Sequence, residues 1–152
     1  MGHFATGVTV VTSIGQVGPV GLTANAITSL SLDPLLMIVC LDLGSRTLSA
    51  VRHSGRLAVN VLRADQRGLA ERFASKAPEH EKFESVPHRD AAGLPILEGV
   101  VAWFAGSVRE LVPGGDHVIG VTQIEELDAP GGEPLLYHRG AYTVIADEEL
   151  AS

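Results

Sequence analysis

The sequence predicts a mainly β protein, a small antiparallel barrel of about six or seven strands with two short helices. Its apolar runs are short and rich in β-branched residues, which favours strands over long helices. Glycine, proline and aspartate separate these runs, as turns between strands require. A length of 152 residues is typical of one domain that buries a core without disulfides or metals. We therefore expect a single domain over residues 1–152.

The first predicted strands form a hairpin. Residues 6–13 contain a β-branched run, a glycine- and proline-containing turn lies at 15–19, and residues 20–30 return as the second strand. Asp33-Pro34 then interrupts the chain. Residues 35–41 are continuously apolar, which predicts a strand buried on both faces.

A helix and a strand are predicted next. Ser45 and Thr47 can each cap a helix over residues 48–54, and Gly55 is a suitable residue for its C-terminal end. Residues 57–62 are apolar apart from one asparagine and predict a strand. The segment from Ser45 to Gly55 is thus the clearest helix signal in the chain.

The rest of the chain contains a second helix, a long loop and the last strands. Asp65 is the predicted cap of a helix that runs to about Phe73. Residues 75–95 are polar and punctuated by proline and glycine, so we expect a loop with at most a short helix, and loops of this length are often functional. The remaining strands are predicted over residues 100–111, 117–127 and 142–146.

Composition excludes several classes of protein. The net charge of −7 argues against general nucleic-acid binding, and no apolar run is long enough to cross a membrane. The N-terminus lacks the basic start and apolar core of a signal peptide, and Cys40 is the single cysteine, inside an apolar run where a buried packing role is expected. The six histidines show neither an i, i+4 pair nor a cysteine cluster, so no metal site is expected. We predict a cytoplasmic protein.

Residues 21–34 depart from the usual strand patterns. A buried strand is continuously apolar and a half-solvated strand alternates, whereas this run mixes alanines with hydroxyl and amide side chains. Small side chains let a flat ligand approach the backbone, and the polar groups can bond to a ring edge rich in nitrogen and oxygen. An edge strand with solvated serines and threonines would give the same pattern. Both interpretations stay open at this point.

An ordered set of motifs covers nearly the whole chain: Phe4-Ala5-Thr6-Gly7, Gly21-Leu22-Thr23-Ala24-Asn25-Ala26, Ser29-Leu30-Ser31-Leu32-Asp33-Pro34, Ser45-Arg46-Thr47, Leu57-Ala58-Val59-Asn60, Gly115-Asp116-His117 and Pro134-Leu135-Leu136-Tyr137-His138-Arg139-Gly140. Together they resemble the flavin reductase-like family, the small NAD(P)H:flavin oxidoreductases that often supply two-component monooxygenases. The resemblance implies an FMN-binding split β-barrel with a Greek-key-like arrangement, and flavin bound at the interface of a homodimer.

The resemblance also implies a flavin site. The phosphate would lie at the start of the predicted helix, where unpaired N–H groups and the helix dipole favour an anion. A plain helix cap is the alternative. Many relatives have a basic residue where this chain has Gly44, which removes one charge partner but is expected to free a backbone N–H. The implied flavin-binding residues are Thr23, Ala24, Asn25, Ala26, Ile27, Thr28 and Ser29 along the ring, Asp42, Ser45, Arg46 and Thr47 at the phosphate, and Phe73, Lys82 and Phe83, where either phenylalanine could instead pack in the core.

A second set of residues is implied to contact the nicotinamide. Gly115, Asp116 and His117 form a turn that leads into a strand, and in the family this element lies beside the hydride donor. His117 is therefore the predicted catalytic residue, although a solvated turn histidine is the alternative. His138, Arg139 and Tyr142 are expected to border the nicotinamide or the flavin, unless they are solvated residues before the last strand.

The predicted function is hydride transfer from NADH or NADPH to FMN or FAD, with a flavin-dependent monooxygenase as a partner for the reduced flavin. No Gly-x-Gly-x-x-Gly motif follows a strand, so the dinucleotide must bind without a Rossmann unit. A non-catalytic barrel that binds flavin or haem is the alternative, and NADH consumption in the presence of FMN distinguishes the two.

Overall fold

The computed structural model describes residues 1–146, in which strands predominate and the sheets are antiparallel. The strands are β1 (Thr6–Gly7), β2 (Thr9–Ile14), β3 (Pro19–Ala24), β4 (Ile27–Leu32), β5 (Leu35–Asp42), β6 (Arg56–Val61), β7 (His88–Ala91), β8 (Leu94–Leu97), β9 (Ala102–Gly114), β10 (His117–Asp128), β11 (Leu136–His138) and β12 (Ala141–Thr143). The helices are α1 (Arg46–Ser54), α2 (Arg67–Ala74) and α3 (Glu79–Phe83). The predicted mainly β fold is confirmed.

A seven-stranded sheet forms the body of the molecule, in the order β3-β2-β6-β9-β10-β5-β4. Two small sheets, β1-β11-β12 and β7-β8, complete the strands of the described residues. The large sheet does not close into a barrel within residues 1–146, because β3 and β4 remain its two edges. No helix in this part of the chain has the length and apolarity needed to cross a membrane.

The predicted second strand over residues 20–30 is wrong in one respect, because it is two strands. β3 pairs with β2, whereas β4 pairs with β5 at the opposite edge of the sheet. The break falls at Asn25 and Ala26, where the Ala26 carbonyl accepts a hydrogen bond from the Cys40 N–H at 3.0 Å. The polar segment therefore supplies both edge strands, which accounts for much of its serine and threonine content.

The α1 segment follows the prediction closely. Ser45 is the N-cap, and its Oγ accepts a hydrogen bond from the Leu48 N–H at 3.0 Å. Gly55 ends the helix in the left-handed conformation (φ 68°), and its N–H donates to the Val51 carbonyl at 2.8 Å. Thr47 is inside the helix and only 1% exposed, so it does not cap.

The predicted cap of α2 is wrong. Asp65 lies in a 3₁₀ turn over Ala64–Gln66, and its carboxylate accepts from the Arg63 guanidinium at 2.8 Å. Gln66 Oε1 accepts from the Arg63 N–H at 2.9 Å, so it is the glutamine that closes the turn ahead of α2. The Asp65 carboxylate therefore pairs with Arg63 and does not cap the helix.

The predicted loop over residues 75–95 contains regular structure. It includes α3, all of β7 and the start of β8. β8 is fully buried. Two of its backbone groups are satisfied by side chains, since the Leu97 N–H donates to Asn60 Oδ1 at 2.9 Å and Thr12 Oγ1 donates to the Pro95 carbonyl at 2.6 Å. These two polar contacts hold an apolar segment against β2 and β6. The final strand is also shorter than predicted, ending at Thr143.

β5 is buried on one face only, which corrects two expectations. Met37, Val39 and Leu41 point into the core that α1 covers, whereas the alternate residues stay half-buried. Cys40 is among the latter, so it is not a buried packing residue. The sequence predicts burial on both faces because the residues on both faces of the strand are apolar.

Candidate functional site

A cavity of about 540 Å³ lies at the start of α1. Its walls come from β3, from the turn that leads into α1, and from the segment joining α2 to α3. The lining includes seven of the predicted flavin-binding positions, Thr23, Asp42, Ser45, Arg46, Thr47, Phe73 and Lys82, together with Lys76. The structure therefore gathers residues from distant parts of the sequence around the predicted phosphate position.

The first turn of α1 is suited to an anion. It contains no acidic residue, and the N–H groups of Arg46 and Thr47 have no partner within a helix at this position. Ser45 Oγ accepts from Leu48 and keeps its own hydrogen for donation. Gly44, by contrast, does not offer a free N–H as expected, because that group donates to Asp42 Oδ1 at 2.7 Å. Asp42 organises the turn that precedes the helix.

Two cations at the cavity share one carboxylate. Glu79 Oε1 lies 2.9 Å from Arg46 Nε and 3.3 Å from Lys82 Nζ. Glu79 Oε2 accepts from the Gly21 N–H at 2.9 Å, and Lys82 Nζ donates to the Gly21 carbonyl at 3.2 Å. Arg46 also donates to the Ala77 carbonyl. The pair on α3 thus satisfies both backbone groups of one residue on the edge strand β3.

Glu79 is a site residue that sequence reasoning missed. Its i, i+3 spacing to Lys82 on a short helix was the available signal. That spacing lies inside a segment predicted as a loop, so it did not indicate an ion pair on a helix.

A second cavity of about 220 Å³ continues along β3. It is lined by Val8, Thr23, Ala24, Asn25, Tyr137 and Tyr142. Thr23 borders both cavities, and its Oγ1 donates to the Ala70 carbonyl at 2.7 Å, which fixes the side chain between them. The two cavities therefore form adjacent parts of one surface beside β3.

The rest of the polar segment lies elsewhere. Ala26, Ile27, Thr28 and Ser29 line neither of these two cavities. Ile27 and Ser29 instead border an apolar cavity of about 170 Å³ together with residues of β5, β9 and β10. Within one chain, the structure brings the predicted ring residues 23–25 together and leaves residues 27–29 on the opposite edge.

The two predicted phenylalanines differ in position. Phe73 lines the cavity at the helix start, although it is only 1% exposed. Phe83 is in the core and meets the Phe73 ring edge-on at a centroid distance of 5.0 Å. Gly21 lies directly above this pair, because a Cβ at that position would be 2.9 Å from Phe73 Cε1. Phe83 therefore supports Phe73 and does not itself line the cavity.

The Gly-Asp-His element lies next to the strand that leads into α1. His117 is paired with Asp42 in the β5–β10 register, and the Leu43 N–H donates to the Asp116 carbonyl at 3.0 Å. Asp116 Oδ1 lies 2.8 Å from His117 Nδ1, and this hydrogen bond lowers the pKa of the carboxyl. Gly115 adopts the left-handed conformation (φ 73°) that the tight turn requires.

The remaining predicted residues lie on the β11–β12 hairpin. Tyr142 lines the cavity at Asn25 and carries the Arg67 guanidinium 5.6 Å from its ring centroid, and burial followed by the charge of Glu71 raises its phenol pKa. His138 and Arg139 are placed near the N-terminus, where the Arg139 N–H donates to the Gly2 carbonyl at 2.7 Å. His117 lines neither cavity. Within a single chain, His117 and the β11–β12 hairpin therefore do not border the same cavity. Among the described residues there is no cluster that could hold a metal ion.

An open antiparallel fold with a cation-bearing cavity at a helix start is suited to a phosphorylated ligand. Residues 1–146 match the family model described as "Flavin reductase like domain". The chain belongs to the flavin reductase-like family. The predicted family and the predicted flavin reductase class are both confirmed.

Curated relatives and solved structures agree with this assignment. A probable flavin reductase of Rhizobium meliloti (strain 1021) is 42% identical over 93% of this chain, which spans 45% of that protein. The flavin-dependent monooxygenase reductase subunit HsaB of Mycobacterium tuberculosis is 38% identical, with 98% of this chain and 81% of that one covered.

Two solved structures carry the same fold. Nitrilotriacetate monooxygenase component B from Mycobacterium thermoresistibile superposes with a TM-score of 0.92 at 35% identity, over 99% of this chain and 86% of that one. The NADH:FAD oxidoreductase SgcE6 of Streptomyces globisporus, solved with NAD and FAD fragments, superposes at 0.90 with 32% identity, over 97% and 90% of the two chains.

Proposed function

We propose that the protein reduces a free flavin with NADH or NADPH and passes the reduced flavin to a flavin-dependent monooxygenase. The observation that carries this proposal is the cavity at the start of α1, which combines an anion-binding helix turn with Arg46 and Lys82. Relatives that are reductase subunits or components of monooxygenases support the partner.

The residues of the cavity fit a flavin phosphate. Arg46 and Thr47 offer first-turn N–H groups, Ser45 offers a hydroxyl donor, and the Arg46 guanidinium is half exposed toward the cavity. FMN and FAD both carry a phosphate on the ribityl chain, so the proposal includes either flavin. When bound, a flavin supplies the chemistry by accepting hydride at N5 from the nicotinamide C4.

The flavin ring is proposed to follow β3 from the phosphate cavity. Thr23, Ala24 and Asn25 line the adjoining cavity, where small side chains leave the backbone accessible and Asn25 offers an amide. Tyr142 covers the far side of that cavity. Contacts to residues 26–29 remain a prediction, because these residues lie toward the opposite edge of the sheet.

The hydride donor is proposed to contact Gly115, Asp116 and His117. The backbone pairing of His117 with Asp42 puts this element beside the strand end that leads into the phosphate site. The Asp116 carboxylate holds the His117 ring by its Nδ1, which fixes the ring orientation. The role of His117 is to position the nicotinamide, since hydride transfer itself needs no general acid.

A homodimer in the cytoplasm completes the proposal. One face of β5 and β10 carries half-buried apolar side chains that residues 1–146 leave partly exposed: Leu36, Ile38, Cys40, Ile119 and Val121. Leu30 and Leu32 of the edge strand β4 are 48% and 85% exposed. A second copy of the chain would cover such a face and could add residues 26–29 or the β11–β12 hairpin to its partner's site.

Steady-state NADH consumption tests this function. Purified protein should oxidise NADH only when FMN or FAD is added, and repeating the assay with NADPH assigns the preferred donor. Oxygen uptake should follow, because reduced flavin that leaves the protein reacts with oxygen. Flavin binding without any NADH or NADPH oxidation would contradict the proposal and favour a non-catalytic flavin-binding protein.

A further inference from the structure

Glu79 occupies an unusual position for an acidic residue at an anion site. Its carboxylate receives three donors, from the Gly21 N–H, from Arg46 Nε and from Lys82 Nζ, at 2.9, 2.9 and 3.3 Å. Its side chain is 14% exposed and lines the phosphate cavity. The two cations that a phosphate would attract are therefore already neutralised from within the chain.

The buried ammonium group of Lys82 needs a counter-ion even when no ligand is bound. Its side chain is only 5% exposed, and its contacts are Glu79 and the Gly21 carbonyl. A buried ammonium group that lacks an anion is strongly unfavourable. The Glu79 carboxylate is that anion. A phosphate bound in the cavity would place a second negative charge close to it.

We propose that Glu79 acts as an internal counter-ion that limits how tightly the cavity retains a flavin phosphate. A phosphate that enters must share Arg46 and Lys82 with Glu79 and is repelled by the carboxylate. The flavin then remains an exchangeable substrate that can leave after reduction. This inference rests on the proposed function, because it assumes that the phosphate of a flavin occupies this cavity.

Glu79→Gln is the direct test. Glutamine keeps the size of the side chain and an oxygen for the Gly21 N–H, but it removes the negative charge. FMN affinity should rise at least about tenfold, chiefly through slower dissociation. Riboflavin affinity should stay nearly unchanged, because riboflavin has no phosphate. Fluorescence titration and stopped-flow displacement measure both quantities.

Glu81→Gln is the matched control. Glu81 lies on the same helix, its side chain is 56% exposed, and it is not part of the cavity lining. This variant removes the same formal charge from the protein, so it should leave FMN affinity close to that of the parent. An equal gain in both variants would overturn the inference, since it would reflect overall charge alone.

A second comparison avoids an unpaired buried lysine. If Glu79→Gln fails to fold, Lys82→Met is compared with the double variant Glu79→Gln/Lys82→Met, in which no ammonium is left uncompensated. The double variant should bind FMN more tightly than Lys82→Met by at least about fivefold, because Arg46 is then no longer paired with Glu79 and is available to the phosphate. Unchanged or weaker FMN binding in the variants lacking Glu79 would overturn the inference. If the parent protein itself neither binds nor reduces flavin, the proposed function fails instead.

Discussion

Ser45 serves two purposes at the start of α1. Its oxygen caps the helix by accepting from Leu48, while its hydroxyl hydrogen is available to a ligand in the cavity. A substitution with alanine would remove both contributions and so confuse folding with binding. Aspartate separates them, because it is a good N-cap but places a negative charge at the anion site.

Ser45→Asp should therefore leave thermal stability close to that of the parent and lower FMN affinity at least about tenfold. Riboflavin affinity should change much less. Calorimetry and fluorescence titration with the two flavins measure these outcomes, and Ser45→Asn serves as the uncharged cap control. An equal loss for FMN and riboflavin would place the phosphate elsewhere.

His117 provides the second prediction at this scale. If its ring positions the nicotinamide, His117→Ala should slow reduction of bound flavin or raise the KM for NADH by up to roughly a hundredfold, with FMN affinity nearly unchanged. Stopped-flow reduction across a range of NADH concentrations measures the effect. Identical reduction rates in variant and parent at every concentration would show that His117 is only a solvated turn residue.

At the scale of elements, the pairing of β9 with β10 is the longest in the large sheet. Gly106 lies where the register between these strands shifts, opposite Ile124. A Cβ at this position would be 1.8 Å from the Gln123 carbonyl oxygen, so the backbone itself leaves no room for a side chain. Only glycine allows the two strands to approach in this way.

Gly106→Ala should accordingly lower the free energy of unfolding by at least about 2 kcal/mol, because backbone must move to admit the methyl group. Gly68→Ala is the matched control. Gly68 lies in α2 with nothing within 4 Å of an added Cβ, so the same change should raise stability by about 0.5–1 kcal/mol. Urea unfolding of both variants measures the difference, and a neutral Gly106→Ala would refute the close strand approach.

Local signals determined which elements the sequence could predict. α1 was predictable because Ser45 and Gly55 act within a few residues of themselves. β4 was not, because its transfer to the far edge depends on pairing with β5, and the run of small polar residues gave no periodic signal. Asp65 misled for a similar reason, since the neighbouring Arg63 competes for its carboxylate.

The same distinction between local and tertiary signals applies to the site. Ser45, Arg46 and Thr47 were identified from a helix start and from the family resemblance, and the structure gathers them at one cavity. Glu79 was missed because its spacing to Lys82 fell within a segment predicted as a loop, and because its other partners, Gly21 and Arg46, lie far away along the chain. Its importance depends on the tertiary contact between α3 and the edge of β3.

At the scale of the whole molecule, the uncovered apolar face of β5 and β10 predicts a homodimer. Light scattering at micromolar concentration should give twice the mass of the chain, and the interface should bury more than about 1,200 Å² in total. Ile38→Glu, which introduces a charge in the middle of that face, should produce monomers, whereas Val17→Glu, which introduces the same charge at a fully exposed turn, should not. A monomeric parent protein would contradict the prediction.

The central claim is that this protein transfers hydride from a nicotinamide cofactor to a flavin. Anaerobic stopped-flow mixing of the protein and FMN with NADH tests it most directly, with NADPH in a parallel experiment. The oxidised flavin absorbance should be lost in the presence of protein, at a rate that saturates with the concentration of the donor. Reduction no faster than in a mixture of FMN and either donor without protein would contradict it.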